Sequence, residues 1–297
     1  MKKIITLFLL FSCLNGIGLF SLEKEKLLSP SGITVELAYR AFQPGEAIIV
    51  TIEEGTNIVD AQVRFLGRRY DMGKDEASSK LYTFVGLDLN IKSGSYLMEI
   101  VLTNILGQRE RLHKDISVLA RKFRVKKLWV REEFVTPPRK ALNRIRRDAE
   151  IIRIIYGMIT PRWLGEGSFI LPCSGEVHPN FGERRIFNNK PRSPHSGVDI
   201  SAPLGTLVMA SNSGKVVFAG DLYYAGKTVI IEHGLGVFTF YCHFSKIKAN
   251  RGDFVKKGDI IGEVGATGRV TGAHLHWSIK IFESRVDPFS LLSLPLE

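Results

Sequence analysis

Val237-Phe238-Thr239-Phe240-Tyr241-Cys242-His243-Phe244 reads as a β-strand. At period two, Phe238, Phe240, Cys242 and Phe244 share one face, and Thr239, Tyr241 and His243 share the other. The apolar face predicts a core, so Cys242 is expected on the core side. His243 is expected to point towards whatever the polar face lines. Around this strand, Gly214–Gly220, Val229–Glu232, Ile260–Val264 and Leu275–Phe282 are further short apolar runs between glycines. His233-Gly234-Leu235-Gly236 fits a hairpin loop joining two of them. With no long helical periodicity after Phe169, residues 169–297 are expected to form an all-β domain.

The chain upstream has a different texture. Ile33–Leu37 alternates apolar and polar residues, and Gln43-Pro44-Gly45-Glu46 is a turn signal before Ala47–Ile52. Ala61–Leu66, Leu81–Val85, Tyr96–Leu102 and Leu112–Val118 are further strand candidates. Six or seven short strands separated by turns predict a β-sandwich of immunoglobulin-like type over residues 30–120. Residues 121–168 read as a linker. It starts with the basic run Arg121-Lys122-Phe123-Arg124-Val125-Lys126-Lys127. A helix follows, with Thr136 as N-cap and proline in its first turn. Ala141, Ile145, Ala149, Ile152 and Ile155 form its apolar stripe, and the helix is expected to end near Gly157 and bridge the domains.

The chain has 297 residues, 44% hydrophobic and 24% charged, which is enough for two domains with real cores. Its formal charge of +11 favours polyanionic surroundings such as nucleic acid, anionic lipid or anionic wall polymers. No nucleic-acid motif occurs, so nucleic acid is not an expected partner. Met1-Lys2-Lys3, followed by an apolar run to about Phe20, reads as an export signal or N-terminal anchor over residues 1–25. Cys13 leaves lipidation open. The expected location is therefore the periplasm or cell envelope, with N-terminal membrane anchoring as one option. Cys173 and Cys242 are too few for a disulfide framework and are read as small buried hydrophobes.

Chemistry concentrates between His195 and His276, which bracket five of the seven histidines. His195 and Asp199, four apart on an extended segment, face the same way. His274 and His276 project from one face of a strand, with Leu275 turned to the core. Two imidazoles and one carboxylate suit Zn²⁺ and leave a fourth position open, which distinguishes a catalytic from a closed structural site. Spare histidines can then carry protons.

His195-Ser-Gly-Val-Asp199, Tyr241-Cys-His243 and Gly268-Arg-Val-Thr-Gly-Ala-His-Leu-His-Trp277 resemble the three motifs of the lysostaphin-like, LytM-type M23 metallopeptidases. Phe181-Gly-Glu-Arg-Arg185, Ala202-Pro-Leu-Gly-Thr206 and Asp287-Pro288 add to the resemblance, which covers residues 169 to 292. It implies an antiparallel β core with the site in a groove. It implies His195, Asp199 and His276 as ligands of one zinc ion per chain, and His243 and His274 as the catalytic pair. The implied activity is hydrolysis of peptide cross-links in bacterial peptidoglycan, whose stem peptides are then the partner, with an envelope regulatory protein as a further option. Ala273 stands where proline is common and Cys242 where alanine is common; neither is expected to disturb the zinc. The alternative reading is a catalytically inactive relative that activates a cell-wall amidase. Retention of all five residues favours the enzyme. Of the other candidates, His233 is read as a turn residue and His178 as a solvated loop residue. Arg184 and Arg185 are read equally as anion binders or as part of a surface turn.

Overall fold

The computed structural model describes residues 21–52, 57–74, 80–130 and 132–296. Most of the expected export segment therefore lies outside the described residues. The protein is mainly β, and its large sheets are antiparallel throughout.

In the N-terminal part, one sheet has the order Glu23–Leu28, Thr34–Tyr39, Ala47–Ile52, Leu81–Gly86 and Gly73–Lys74. The other has the order Arg68–Asp71, Ile58–Phe65, Gly94–Asn104 and Arg109–Val118. Val35, Leu37, Ile48, Val50 and Phe84 of the first sheet and Val63, Phe65, Ile100 and Ile116 of the second are buried in one core. The first sheet begins at Glu23, ahead of the start at residue 30 expected from the sequence. There Glu23-Lys-Glu-Lys26 pairs with Tyr39–Glu36 instead of trailing the apolar leader.

In the C-terminal part, the main sheet has the order Glu176–His178, Gly197–Ser201, Leu275–Ile281, Val237–Phe244, Gly226–Glu232, Gly214–Leu222 and Phe254–Val255. Ser284–Val286 adds to it beside Ile279–Ile281. Leu207–Met209, Ile260–Glu263 and Lys246–Ile247 form a small second sheet. The basic run after the sandwich also enters a sheet: Val125–Leu128 pairs in parallel with Arg184–Phe187.

The helix spans Arg139–Tyr156 and ends at Gly157, as its periodicity predicts. Its start differs from expectation. Pro138 is the N-cap and contributes no side-chain bond, while Thr136 Oγ1 donates to Glu132 Oε1 at 2.8 Å. Two consecutive prolines push the helix start past the threonine's reach. The buried stripe also shifts, because Ala149 is exposed and Asp148 is buried. Asp148 Oδ2 accepts the Tyr223 N–H at 2.7 Å, which satisfies a backbone donor in the turn between Gly214–Leu222 and Gly226–Glu232. Nor is the helix a free bridge. Ile151, Ile152, Ile155 and Tyr156 pack on Phe238, Phe240 and Ile230, and the Tyr156 and Phe238 rings lie 5.1 Å apart.

The two β parts join through other contacts. Trp163 packs on Phe84 at 4.9 Å, and Tyr70 meets Phe282 edge-on at 4.9 Å. Arg285 clamps Asp88 with bonds of 3.0 and 2.7 Å. Buried Glu46 is held by Arg40 through two 2.9 Å bonds, and Arg121 ties Glu46 to Asp287.

Candidate metal centre

Asp199 lies opposite His276 across one strand pair, and Cys242 lies opposite His276 across the next. Directly opposed residues share a sheet face, so Asp199, His276 and Cys242 are on one face. Val198, Trp277 and Tyr241 are on the other, in the core. This corrects the period-two reading of Val237–Phe244. Tyr241 and Thr239 face inward, with Tyr241 Oη accepting the Ser211 N–H at 2.9 Å. Cys242, though buried, lies under the site. Its thiol is pushed well above the usual cysteine range by burial and then by the Asp199 charge.

His243 nevertheless reaches the site, because the strand bulges there. Pairing passes from Thr228–Cys242 to Lys227–Phe244 and leaves His243 without a partner on that strand. His243 adopts φ 69° and donates its N–H to the Ala225 carbonyl at 3.0 Å. A bulge re-aims one side chain and resets the alternation. The imidazole turns to the site face, and Phe244 returns to the core beside Tyr241.

Three ligand atoms converge. His195 Nε2 lies 3.1 Å from Asp199 Oδ1 and 2.8 Å from His276 Nδ1. His276 Nδ1 lies 3.0 Å from Asp199 Oδ1. His195 Nδ1 donates to the Asn180 carbonyl at 3.1 Å, which leaves Nε2 with a lone pair facing the cluster. Ligand atoms on one tetrahedral zinc, with bonds of about 2.0–2.2 Å, stand roughly 3.3–3.6 Å apart. The three atoms make a near-equilateral triangle slightly tighter than that, so residue types and spacing both fit a metal ion. Among the described residues, this is the group that could hold one.

The surrounding electrostatics suit ligands. Burial alone would raise the Asp199 carboxyl, but bonds to His195 and His276 outweigh it and hold the group well below the carboxylate range. Its other oxygen, Oδ2, accepts from Asn180 Nδ2 at 2.8 Å and Arg185 Nη2 at 3.1 Å. Burial lowers the His276 pKa to about 4. Burial, and then the nearby His276 and His274, lower that of His243 to about 3. Both rings are therefore neutral at pH 7. His274 donates Nδ1–H to the Gly272 carbonyl at 3.0 Å and turns Nε2 towards Asp199 Oδ1, 3.8 Å away. Its ring centroid is 4.9 Å from that of His243.

The structure thus brings together all five residues singled out in the sequence. It also supplies two that the sequence did not single out as supports. Asn180 touches both His195 and Asp199. Arg185, for which the sequence leaves anion binding and a surface turn equally open, braces Asp199 and pairs with Glu183 at 3.2 Å. No spacing signals them: Asn180 lies in a loop and Arg185 on the strand Arg184–Phe187, and each meets Asp199 only through the tertiary fold. Arg184 turns away to Asn90, at 3.2 Å. His178 lines the cavity rim and bonds Ser201 Oγ at 2.7 Å. His233 is fully buried, away from the cluster, with Nδ1 donating to the Ser213 carbonyl. A cavity of about 610 Å³ opens beside Asp199 and His274, lined by residues from 121–126, 178–201 and 271–274.

The model of peptidase family M23 matches residues 193–288, which contain all five residues. The peptidoglycan DD-endopeptidase ShyA of Vibrio cholerae is 43% identical over 104 residues, or 35% of this chain and 24% of ShyA. The DD-carboxypeptidase/endopeptidase Mpg of Neisseria meningitidis is 43% identical over 97 residues, or 33% of this chain and 22% of Mpg. The chain thus matches about a quarter of the length of these relatives. A crystal structure assigned to peptidase M23 from Pseudomonas aeruginosa superposes with a TM-score of 0.63 at 27% identity. That likeness covers 84% of this chain and 95% of the other. The chain carries a peptidase family M23 domain, built on an antiparallel β core.

Proposed function

We propose that this chain is a zinc-dependent endopeptidase that hydrolyses peptide cross-links of bacterial peptidoglycan. The observation that carries the reading is the triangle of His195 Nε2, Asp199 Oδ1 and His276 Nδ1, open to a cavity and flanked by two further histidines. His195, Asp199 and His276 would hold one zinc ion, which supplies a Lewis acid and makes water nucleophilic near neutral pH.

The chain's own groups perform the rest. His243 and His274 each give Nδ1–H to a backbone carbonyl, that of Thr267 and Gly272 respectively. Each therefore keeps Nε2 for a proton taken from water or delivered to the leaving amine. A protonated ring also stabilises negative charge growing on the substrate carbonyl oxygen. Asn180 and Arg185 fix Asp199 from behind, so the carboxylate enters the reaction already oriented.

The bond cut is proposed to be the one from D-alanine to a diamino acid. The basic head and apolar run to about Phe20, ahead of the first strand at Glu23, are proposed as the export signal or anchor, with the periplasm or envelope as the location. Among the described residues, no helix is long and apolar enough to cross a membrane. The amidase-activator alternative has no observation in its favour, because all five side chains are in place. Digestion of purified sacculi, with products identified by mass spectrometry, tests the proposal. New free amines with intact glycan strands are expected, lost with a chelator and restored by zinc. Untouched cross-links together with stimulation of a separate amidase overturn it.

A further inference from the structure

The five clustered side chains leave unexplained the segment that faces them. In the sequence, residues 121–127 are a basic connection between two β parts. In the structure they form one wall of the cavity. Val125–Leu128 is held in parallel to Arg184–Phe187, and Arg184 donates its N–H to the Arg124 carbonyl at 2.8 Å. Along such an extended segment, alternate side chains turn to opposite sides. Phe123 anchors it, with its ring 6.2 Å from that of Phe181 and packed so close to Gly182 that no larger residue fits there.

Lys122, Arg124 and Lys126 line the same cavity as Asp199 and His274. All three are exposed, and among the described residues their side chains make no hydrogen bond or ion pair. Neighbouring charges are already committed. Arg121 is bound to Glu46 and Asp287, and the two acids of the lining, Glu183 and Asp199, are both paired with Arg185. The wall therefore presents three uncompensated positive charges. Alternate residues of extended chain stand about 6.6 Å apart, which is also the repeat of an extended peptide lying alongside. Charge-assisted contacts from such a row match free carboxylates on that peptide. The row lies within a cavity and not on a flat face, which favours a peptide strand over a lipid surface.

We propose that Lys122, Arg124 and Lys126 form a carboxylate-reading subsite, which selects an extended peptide bearing two or more free carboxylates. Stem peptides with γ-linked glutamate and a diamino acid are of this kind. The inference rests on the peptidase reading for what is cut, but not for what is bound.

The test uses the full, zinc-loaded chain at low salt. Calorimetry compares an uncross-linked stem peptide carrying free carboxylates with the same peptide amidated. Amidation is expected to weaken binding to the unmodified chain about tenfold, the sum of three partly exposed charge contacts. The triple variant K122A/R124A/K126A is expected to bind the free peptide about tenfold more weakly and to lose the distinction. The charge-keeping variant K122R/R124K/K126R is expected to retain it, which separates charge reading from damage to the fold. Equal binding of both peptides by the unmodified chain overturns the proposal. So does discrimination that survives in the triple variant, or a charge-dependent preference for anionic vesicles over the peptide. Discrimination without cleavage of any cross-link leaves the subsite standing and removes the peptidase reading. Cleavage without discrimination does the reverse.

Discussion

His243, near the end of Val237–Phe244, and His274, just before Leu275–Ile281, are 31 residues apart in sequence, yet their ring centroids stand 4.9 Å apart, each ring pinned through Nδ1 to a backbone carbonyl. Neither belongs to the convergent triangle of His195, Asp199 and His276. This division of labour predicts two classes of variant. His195→Ala, Asp199→Ala and His276→Ala should each lose the metal. His243→Ala and His274→Ala should keep it while activity falls about 10²–10⁴-fold. Metal analysis beside cleavage rates decides the matter, and full zinc in any of the first three variants refutes the ligand assignment.

Asn180 and Arg185 should act through the metal ligands, not on the substrate. Removing an outer partner of a ligand typically lowers metal affinity about 10–100-fold. Asn180→Ala and Arg185→Ala are therefore expected to release zinc to a competing chelator at correspondingly lower chelator concentration. Unchanged affinity in both would show that the bonds to Asp199 Oδ2 are incidental.

The bulge at His243 depends on Gly265. A Cβ there would lie 2.6 Å from the His243 carbonyl oxygen and closer still to the Ser245 backbone nitrogen. Gly265→Ala should push the bulge away and cost about 1–3 kcal/mol, the usual range for overpacking. Cleavage should fall by more than the loss of folded protein explains, with zinc retained. Normal activity per folded molecule would mean that His243 tolerates displacement.

Glu46 is 2% exposed and accepts two bonds from Arg40 and one from Arg121. Breaking a buried ion pair by removing one partner costs about 3–5 kcal/mol. Glu46→Ala should show that loss in denaturant unfolding. Because Arg121 also binds Asp287, the sandwich and the C-terminal sheet should still unfold together. Two separate transitions in the unmodified protein would contradict a shared core.

His233 gives a pH dependence free of the metal. Burial lowers its pKa to about 4, against an ordinary value of 6.5. Between these values the unfolded chain binds a proton that the folded protein refuses. Stability therefore rises with pH in this window, is complete above about pH 6.5, and is lost as pH falls towards 4. The loss should reach about 3 kcal/mol. Urea unfolding at pH 7, 5.5 and 4 measures it. The contribution should be absent in His233→Gln, and an equal slope in that variant would assign the effect elsewhere.

The sequence by itself determined the composition of the site and the β character of both parts. His195 and Asp199 are four apart on one extended segment that runs into Gly197–Ser201, and His274 and His276 are two apart where Leu275–Ile281 begins. Local period-two geometry fixes which way each pair points, wherever the strands lie. Chain-local signals also placed the helix end at Gly157. Only the tertiary structure decided how His243 reaches the others. Strict alternation puts it with Tyr241, and the unpaired bulge residue reverses that, an event set by register with Gly226–Glu232 and by space at Gly265. The same holds for Asn180 and Arg185, for the buried Asp148 that shifts the helix stripe, and for the basic run that becomes a cavity wall. Each depends on a partner far away in the chain, and such pairing leaves no periodic trace in the residues that take part.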